Sequence, residues 1–243
     1  MKSCYINILD TSTVSLSAGA EDPSYPLYRI YDRDVGRPFK ASAAATLEIK
    51  IDQGPYPDSV DRLLIPSGHN LNGMTLGIKH SDDDLTYSDA VTQWVQSGTG
   101  LIEKSWNQTT ARYWKFIITA PASIPGMAEL FLTGTYEWQR LPARPAGPFE
   151  DVFNAESDAS ANGMERFLIH GNPKRQRVYR MANAGSVQKA NILDLNSAWQ
   201  GAKPFWLEDH EGNWIYGKLR KPIELKEEGY GRYSFEFDFL EVL

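Results

Sequence analysis

A chain of 243 residues with 42% hydrophobic and 23% charged side chains has the composition of an ordinary globular protein, long enough for two cores. Its 25 Lys and Arg against 31 Asp and Glu leave a net charge of −6, the wrong sign for a protein that mainly neutralises phosphates, so nucleic acid is not an expected partner. No apolar run approaches the roughly 20 residues of a membrane-spanning helix, so membrane insertion is not expected, and the single cysteine, Cys4, excludes an intrachain disulfide or a cysteine-built zinc cluster.

The opening Met1-Lys2-Ser3-Cys4-Tyr5-Ile6-Asn7-Ile8-Leu9-Asp10 is interrupted by Asn7 and closed by Asp10, so it lacks the continuous apolar stretch of a secretory signal and synthesis in a reducing cytoplasm is expected. Strand periodicity then dominates. Leu47, Ile49 and Ile51 alternate with Glu48, Lys50 and Asp52, and Met74, Leu76 and Ile78 alternate with Thr75, Gly77 and Lys79. The segment Tyr113-Trp114-Lys115-Phe116-Ile117-Ile118 is apolar on both faces except at Lys115, the pattern of a central strand, and Ala128, Leu130 and Leu132 suggest one more. Turn-forming pieces lie between them: Gly54-Pro55-Tyr56-Pro57-Asp58, Ser67-Gly68-His69-Asn70 and Ser81-Asp82-Asp83-Asp84. With no helical period before Gly134, these short strands predict an antiparallel sandwich or jelly roll.

Residues 139–163 carry Pro142, Pro145 and Pro148 and then a small polar run from Asn154 to Gly163, and read as a linker between a first domain, 1–138, and a second, 164–243. In the second, Phe167-Leu168-Ile169 and Gln176-Arg177-Val178-Tyr179-Arg180 flank Gly171-Asn172-Pro173-Lys174 as a hairpin. The basic run Lys174-Arg175-Gln176-Arg177 forms its tip, either solvated or touching a neighbouring subunit. A helix is predicted from Ser186, its N-cap, to Gln200, with Ile192, Leu195 and Trp199 on one face and Gly201 as the stop. Strands at 204–207, 214–219 and 233–242 follow; in the last, Tyr233, Phe235, Phe237 and Phe239 alternate with Ser234, Glu236 and Asp238. The fold class is therefore mainly β: an N-terminal jelly-roll β-sandwich, then a C-terminal β-sandwich with one flanking α-helix.

Catalytic signatures are missing. There is no Gly-x-Ser-x-Gly elbow and no phosphate-cradling glycine loop, and His69, His80, His170 and His210 never fall at metal-ligand spacing, so neither an enzyme nor a cofactor is expected. Asp82-Asp83-Asp84 with Asp89 crowds oxygen ligands that suit calcium, but the glycine and terminal glutamate of an EF-hand loop are missing and a solvated hairpin turn is the simpler reading. Carbohydrate binding needs aromatic faces to stack on sugar rings and polar groups to bond hydroxyls. Tyr31, Asp32, Arg33, Tyr56, His69, Asn70 and Trp106 lie in or beside loop-like segments and are the candidates, with loop packing as the alternative role for each.

Three pieces in order carry a resemblance: Leu27-Tyr28-Arg29-Ile30-Tyr31-Asp32-Arg33-Asp34, Ile78-Lys79-His80-Ser81-Asp82-Asp83-Asp84-Leu85-Thr86-Tyr87 and Ala111-Arg112-Tyr113-Trp114-Lys115-Phe116. Over residues 20–135 the chain resembles the galactose-binding-like, or discoidin-type, jelly roll. That resemblance implies an aspartate-bearing loop near the ligand end, a hairpin with a polar turn, and a core strand whose arginine and aromatic pin the sheets. The chain departs from secreted members of that family in lacking their cysteine pair. The second domain is similar to the C-terminal portions of phage tail proteins, of tail-tube and distal-tail type, through its hairpin, its helix, Lys203-Pro204-Phe205-Trp206-Leu207 and the final aromatic strand. This second likeness implies a structural component of a phage or phage-like tail or baseplate, located in the virion tail and made in the bacterial cytoplasm. Its partners would be other tail or baseplate proteins and further copies of itself, with a host-surface glycan as a candidate ligand of the jelly roll. The alternative is a stand-alone carbohydrate-binding protein.

Overall fold

The computed structural model describes residues 1–119, 121–138, 150–152, 155–159, 165–169, 174–198 and 203–242. The chain is mainly β and divides into two compact units, Ile6–Tyr136 and the combination of Met1–Tyr5 with Glu137–Leu243.

After β1 (Lys2–Cys4), which belongs to the second unit, the first unit comprises β2 (Thr13–Ala18), β3 (Phe39–Lys40), β4 (Leu47–Asp52), β5 (Ser59–Ile65), β6 (Thr75–Ser81), β7 (Ser88–Val95), β8 (Ile102–Thr110), β9 (Tyr113–Thr119), β10 (Gly126–Met127) and β11 (Phe131–Thr133). A five-stranded antiparallel sheet in the order β2-β4-β9-β6-β7 lies with a three-stranded one, β11-β5-β8, and a short β10-β3 pair. From β4 onward the chain passes back and forth between the two larger sheets, the winding of a jelly roll. Strand alternation sends Leu47, Ile49 and Ile51 of β4, Leu76 and Ile78 of β6 and Trp114, Phe116 and Ile118 of β9 into one core, shared with Val60, Leu63 and Ile65 of β5. Each such side chain contributes roughly 1.5–3 kcal/mol on full burial. As its pattern predicts, β9 is the central strand. The strand expected from Ala128 to Leu132 begins only at Phe131, and the buried Asn7 explains why. Its amide donates to Leu130 O at 2.8 Å and accepts from Leu132 N at 3.1 Å, so a side chain occupies the place of a ladder neighbour.

The second unit continues with β12 (Tyr136–Glu137), β13 (Glu150–Val152), β14 (Ala155–Ala159), β15 (Glu165–Ile169), β16 (Lys174–Ala184), α1 (Ser186–Ala198), β17 (Phe205–Glu208), β18 (Trp214–Leu219), β19 (Glu224–Gly229) and β20 (Arg232–Glu241). Its large sheet runs β12-β1-β17-β18-β20-β16-β13, with β19 also paired to β20. Phe235, Phe237 and Phe239 of β20 are buried as their period implies. Phe237 stacks on Tyr179 at 5.0 Å and on Trp138 at 5.6 Å, and Phe239 meets Phe205 edge-on at 5.3 Å. Helix α1 buries Ile192 and Leu195, and Asn196 exchanges two hydrogen bonds of 2.8 Å with the backbone of Ile223. The carbonyl of Gly185 already accepts Lys189 N–H, so Ser186 lies inside the helix and is not its cap, while Trp199 and Gly201 fall outside the described residues.

Three expectations change. Phe167-Leu168-Ile169 pairs with β14 and not with Gln176–Arg180, which pairs with β20; the expected turn at 171–173 lies outside the described residues. The stretch read as a linker contains β13 and β14, strands without apolar alternation, and the basic run lies within β16, where Arg175 bonds Glu241 and Gln176 donates to Asp238 at 2.7 Å. The opening strand β1 pairs with β17, Ser3 opposite Leu207 and Cys4 opposite Trp206, so both residues are buried in the second unit.

Candidate functional site

The outer face of the five-stranded sheet concentrates the chemistry of the first unit. Because Leu47, Ile49 and Ile51 point inward, Glu48, Lys50 and Asp52 point out, and on β9 the same alternation exposes Tyr113 and Lys115. Register places Ser15, Lys50, Lys115, Lys79 and Asp89 in a single row across all five strands. Like charges directly opposite one another destabilise a sheet, so three adjacent lysines demand compensation. Each has it: Lys50 bonds Asp84 at 2.7 Å, Lys115 bonds Glu48 at 3.2 Å and Lys79 lies 3.5 Å from Asp89.

Asp84 comes from the β6–β7 connection, so that loop folds back over the sheet to reach β4. Ser81 and Asp83 build the turn: the Asp83 carboxylate accepts Leu85 N, Thr86 N and the Ser81 hydroxyl, which keeps it below the usual carboxylate range. Asp84 takes φ +62°, accepts the Tyr87 hydroxyl at 2.5 Å and is held low first by its Lys50 bond and then by that of Tyr87. Burial, followed by the Asp84 bond, pushes the Tyr87 phenol up, and its ring underlies the Lys115 ammonium at 4.4 Å. The expected solvated turn is thus a strap across a charged floor. Asp83 and Asp84 are already bonded to backbone amides, a serine, a lysine and a tyrosine, and among the described residues no cluster of His, Cys, Asp or Glu is arranged to hold a metal ion.

At the Tyr113 end of this floor a second loop rises. Asp52 accepts both Gly54 N–H at 2.8 Å and the Arg112 guanidinium at 2.8 and 3.1 Å, and the Arg112 bond holds its carboxyl below the usual range. The guanidinium lies 4.7 Å from the Tyr113 ring centroid. Gln53 closes the loop, accepting Asp58 N–H at 3.0 Å and donating to the carbonyls of Asp58 and Ala111. Between these ties, flanked by Pro55 and Pro57, Tyr56 is 91% exposed; Leu85, at the tip of the neighbouring strap, is 85% exposed. A flat aromatic face on a short, cross-tied loop with two prolines loses little conformational entropy when a ligand settles on it.

The residues singled out from sequence do not converge. Only Tyr56 belongs to this end of the sandwich's surface. Arg33 is buried: its backbone N–H donates to Glu129 and its guanidinium to Asp10 at 2.6 Å, 4.1 Å from the Phe131 ring centroid, so it anchors its own loop. Tyr31 packs partly buried against the core, and burial followed by the Asp10 charge raises its phenol. Asp32 accepts Asp34 N–H and pairs with Arg37. His69, in the turn-forming piece, is 3% exposed, which fits the loop-packing alternative. Its Nδ1 accepts Leu71 N–H while Nε2 lies 2.8 Å from Gly100 O, an arrangement of the neutral ring, and burial lowers its pKa. Asn70 ties two loops, donating to Ile124 O and accepting Gly126 N–H. Trp106 is half-buried, 5.9 Å from the Trp114 ring. Lys50, Lys79, Glu48 and Asp52 were not singled out from the sequence, where their trace is a polar residue at every second position of β4 and β6; Asp84, Tyr87 and Arg112 were quoted there, but not as parts of this face.

No family model matches the chain, and no curated protein matches it. Among solved structures it is similar to chitosan-binding module 1 of a chitosanase/glucanase from Paenibacillus sp. IK-5, at 17% identity and TM-score 0.45, covering 53% of this chain and 98% of that one. It is also similar to CBM32-1 from a family 31 glycoside hydrolase of Clostridium perfringens, at 17% identity and TM-score 0.44, covering 54% and 99%. A third is a CBM32-5 module of Clostridium perfringens in complex with GalNAc-β-1,3-galactose, at 14% identity and TM-score 0.44, covering 52% and 97%.

Proposed function

We propose that the chain is a non-enzymatic binding protein whose first unit recognises a glycan on the outer face of its five-stranded sheet, with Tyr56 as the stacking platform. The observation that carries this reading is the exposed, proline-flanked Tyr56 ring on the connection that leaves the end of a floor where each lysine is paired with a carboxylate. Sugars ask for that combination, since a pyranose offers an apolar C–H face to an aromatic ring and hydroxyls that both donate and accept around its rim. Calorimetric titration with a panel of soluble polysaccharides tests it. Tyr56→Ala is expected to weaken binding about tenfold, the upper end of what one aromatic contact contributes, with an unchanged melting temperature. Binding that is identical in the variant overturns the reading.

A second reading, that of a subunit in a phage tail or baseplate, rests on the second unit. The β19–β20 hairpin ends on Gly229-Tyr230-Gly231, all three at positive φ, and Tyr230 is fully exposed with φ +50°. A bulky side chain adopts that conformation at a cost, with no burial among the described residues to offset it, and an exposed aromatic at a hairpin tip suits a subunit contact. Light scattering is expected to show a species larger than one chain, reduced to a monomer by Tyr230→Ser; a monomer at every concentration opposes this reading.

A further inference from the structure

Resting on the glycan reading of the sheet face, we infer that its ligand is an uncharged polysaccharide and that the floor is built to refuse acidic ones. A row of three lysines would ordinarily attract carboxylates or sulfates. Here Lys50, Lys115 and Lys79 each face a carboxylate of their own, Asp84, Glu48 and Asp89, and Arg112 at the end of the floor faces Asp52. Four anions match the four cations, and the strap adds the carboxylates of Asp82 and Asp83, so no cation is left in excess. Three of the four carboxylates sit on the floor itself or on its neighbouring strand, and the fourth is delivered by the strap that β6 and β7 throw across the sheet. An acidic sugar would have to displace one of these carboxylates from its cation and would then lie beside it, like charge against like. A neutral diol meets no such conflict, because one hydroxyl can accept from a lysine while its neighbour donates to the paired carboxylate. The Lys50–Asp84 and Arg112–Asp52 pairs also persist in mild acid, since both carboxylates are held below the usual range by the cations they serve.

Galactomannan and xyloglucan as uncharged probes, and polygalacturonate and dextran sulfate as acidic ones, are titrated into the full chain at about 0.05 and about 0.5 M NaCl, concentrations at which the screening length differs roughly threefold. Binding of at least one uncharged polymer with less than about a twofold change between the two salts is expected, together with no binding of either acidic polymer. Acidic polymers that bind and are released by salt overturn the inference and leave the glycan reading standing, whereas a chain that binds no polymer overturns that reading itself. The double variant Asp84→Asn with Glu48→Gln leaves Lys50 and Lys115 without their carboxylates. It is expected to gain salt-sensitive binding of polygalacturonate, and a folded double variant without that gain shows that the pairs are not what excludes acidic polymers.

Discussion

Glu129 has no exposed surface. Its Oε2 accepts the Arg33 N–H at 3.1 Å, and its Oε1 stands 3.7 Å from the Arg33 guanidinium. Burial pushes its carboxyl well above the ordinary value, against the opposing pull of Arg33. For an acid raised in the folded state, the native chain holds its proton to higher pH than the unfolded one. The stability this contributes is fully present below the unfolded value of about 4.3 and is lost as pH rises through the folded one. Urea unfolding of the parent is therefore expected to show a midpoint that declines as pH rises through that window, and Glu129→Gln a shallower decline; equal slopes would remove Glu129 from the account. His69 runs the other way. Burial lowers its pKa, so its contribution is present above the unfolded value of about 6.5 and is lost as pH falls through the folded one. NMR is expected to find its ring neutral at pH 6.5, and a ring half-protonated there or at higher pH would contradict the buried tautomer.

Among the elements, β18 makes the sharpest prediction. A Cβ on Gly217 would stand 2.5 Å from Leu240 O and 2.7 Å from the Phe239 ring, so backbone of β20 and a core aromatic would both have to yield. Gly217→Ala is expected to abolish cooperative unfolding of the second unit, seen as loss of near-ultraviolet circular dichroism from its tryptophans. Strands β4, β6 and β20 were legible in the sequence because one face of each is apolar and the alternation survives, and β9 and β18 because they are short, nearly continuous apolar runs bounded by polar or turn residues. Strand β19, Glu224-Leu225-Lys226-Glu227-Glu228-Gly229, was not, since only Leu225 among its side chains is apolar and its pairing with β20 rests on backbone bonds. The same limit hid the candidate site. Alternation tells that Lys50 and Lys115 point outward, but their adjacency is a matter of register, and the reach of Asp84 to Lys50 depends on a loop that crosses β9 from the end of β6. Polar loop residues misled in the opposite direction: Arg33, His69 and Asn70 carry ligand-like chemistry, yet it is consumed by the carboxylates of Asp10 and Glu129 and by backbone groups.

At the scale of the whole molecule, each unit has its own hydrophobic interior, and β1 decides which of them the first five residues serve. Ser3 and Cys4 are fully buried beside β17, Trp138 donates to the Ser3 hydroxyl at 3.1 Å, and the amino group of Met1 lies 3.6 Å from Glu208. Deleting residues 1–5 is expected to lower hydrogen-exchange protection in β17 and β18 while β4 and β9 keep theirs. Equal loss in both sets would contradict the division into units. A chain that starts in one unit, leaves it at Tyr5 and returns at Glu137 has, in effect, a guest threaded into a host. During translation the whole guest is synthesised before Leu207 emerges to meet Ser3, so the pairing of β1 with β17 must wait until that insert has been made. Such a guest lends itself to exchange: a different insert between Tyr5 and Glu137 is expected to leave β1 paired with β17 and the host's sheet intact.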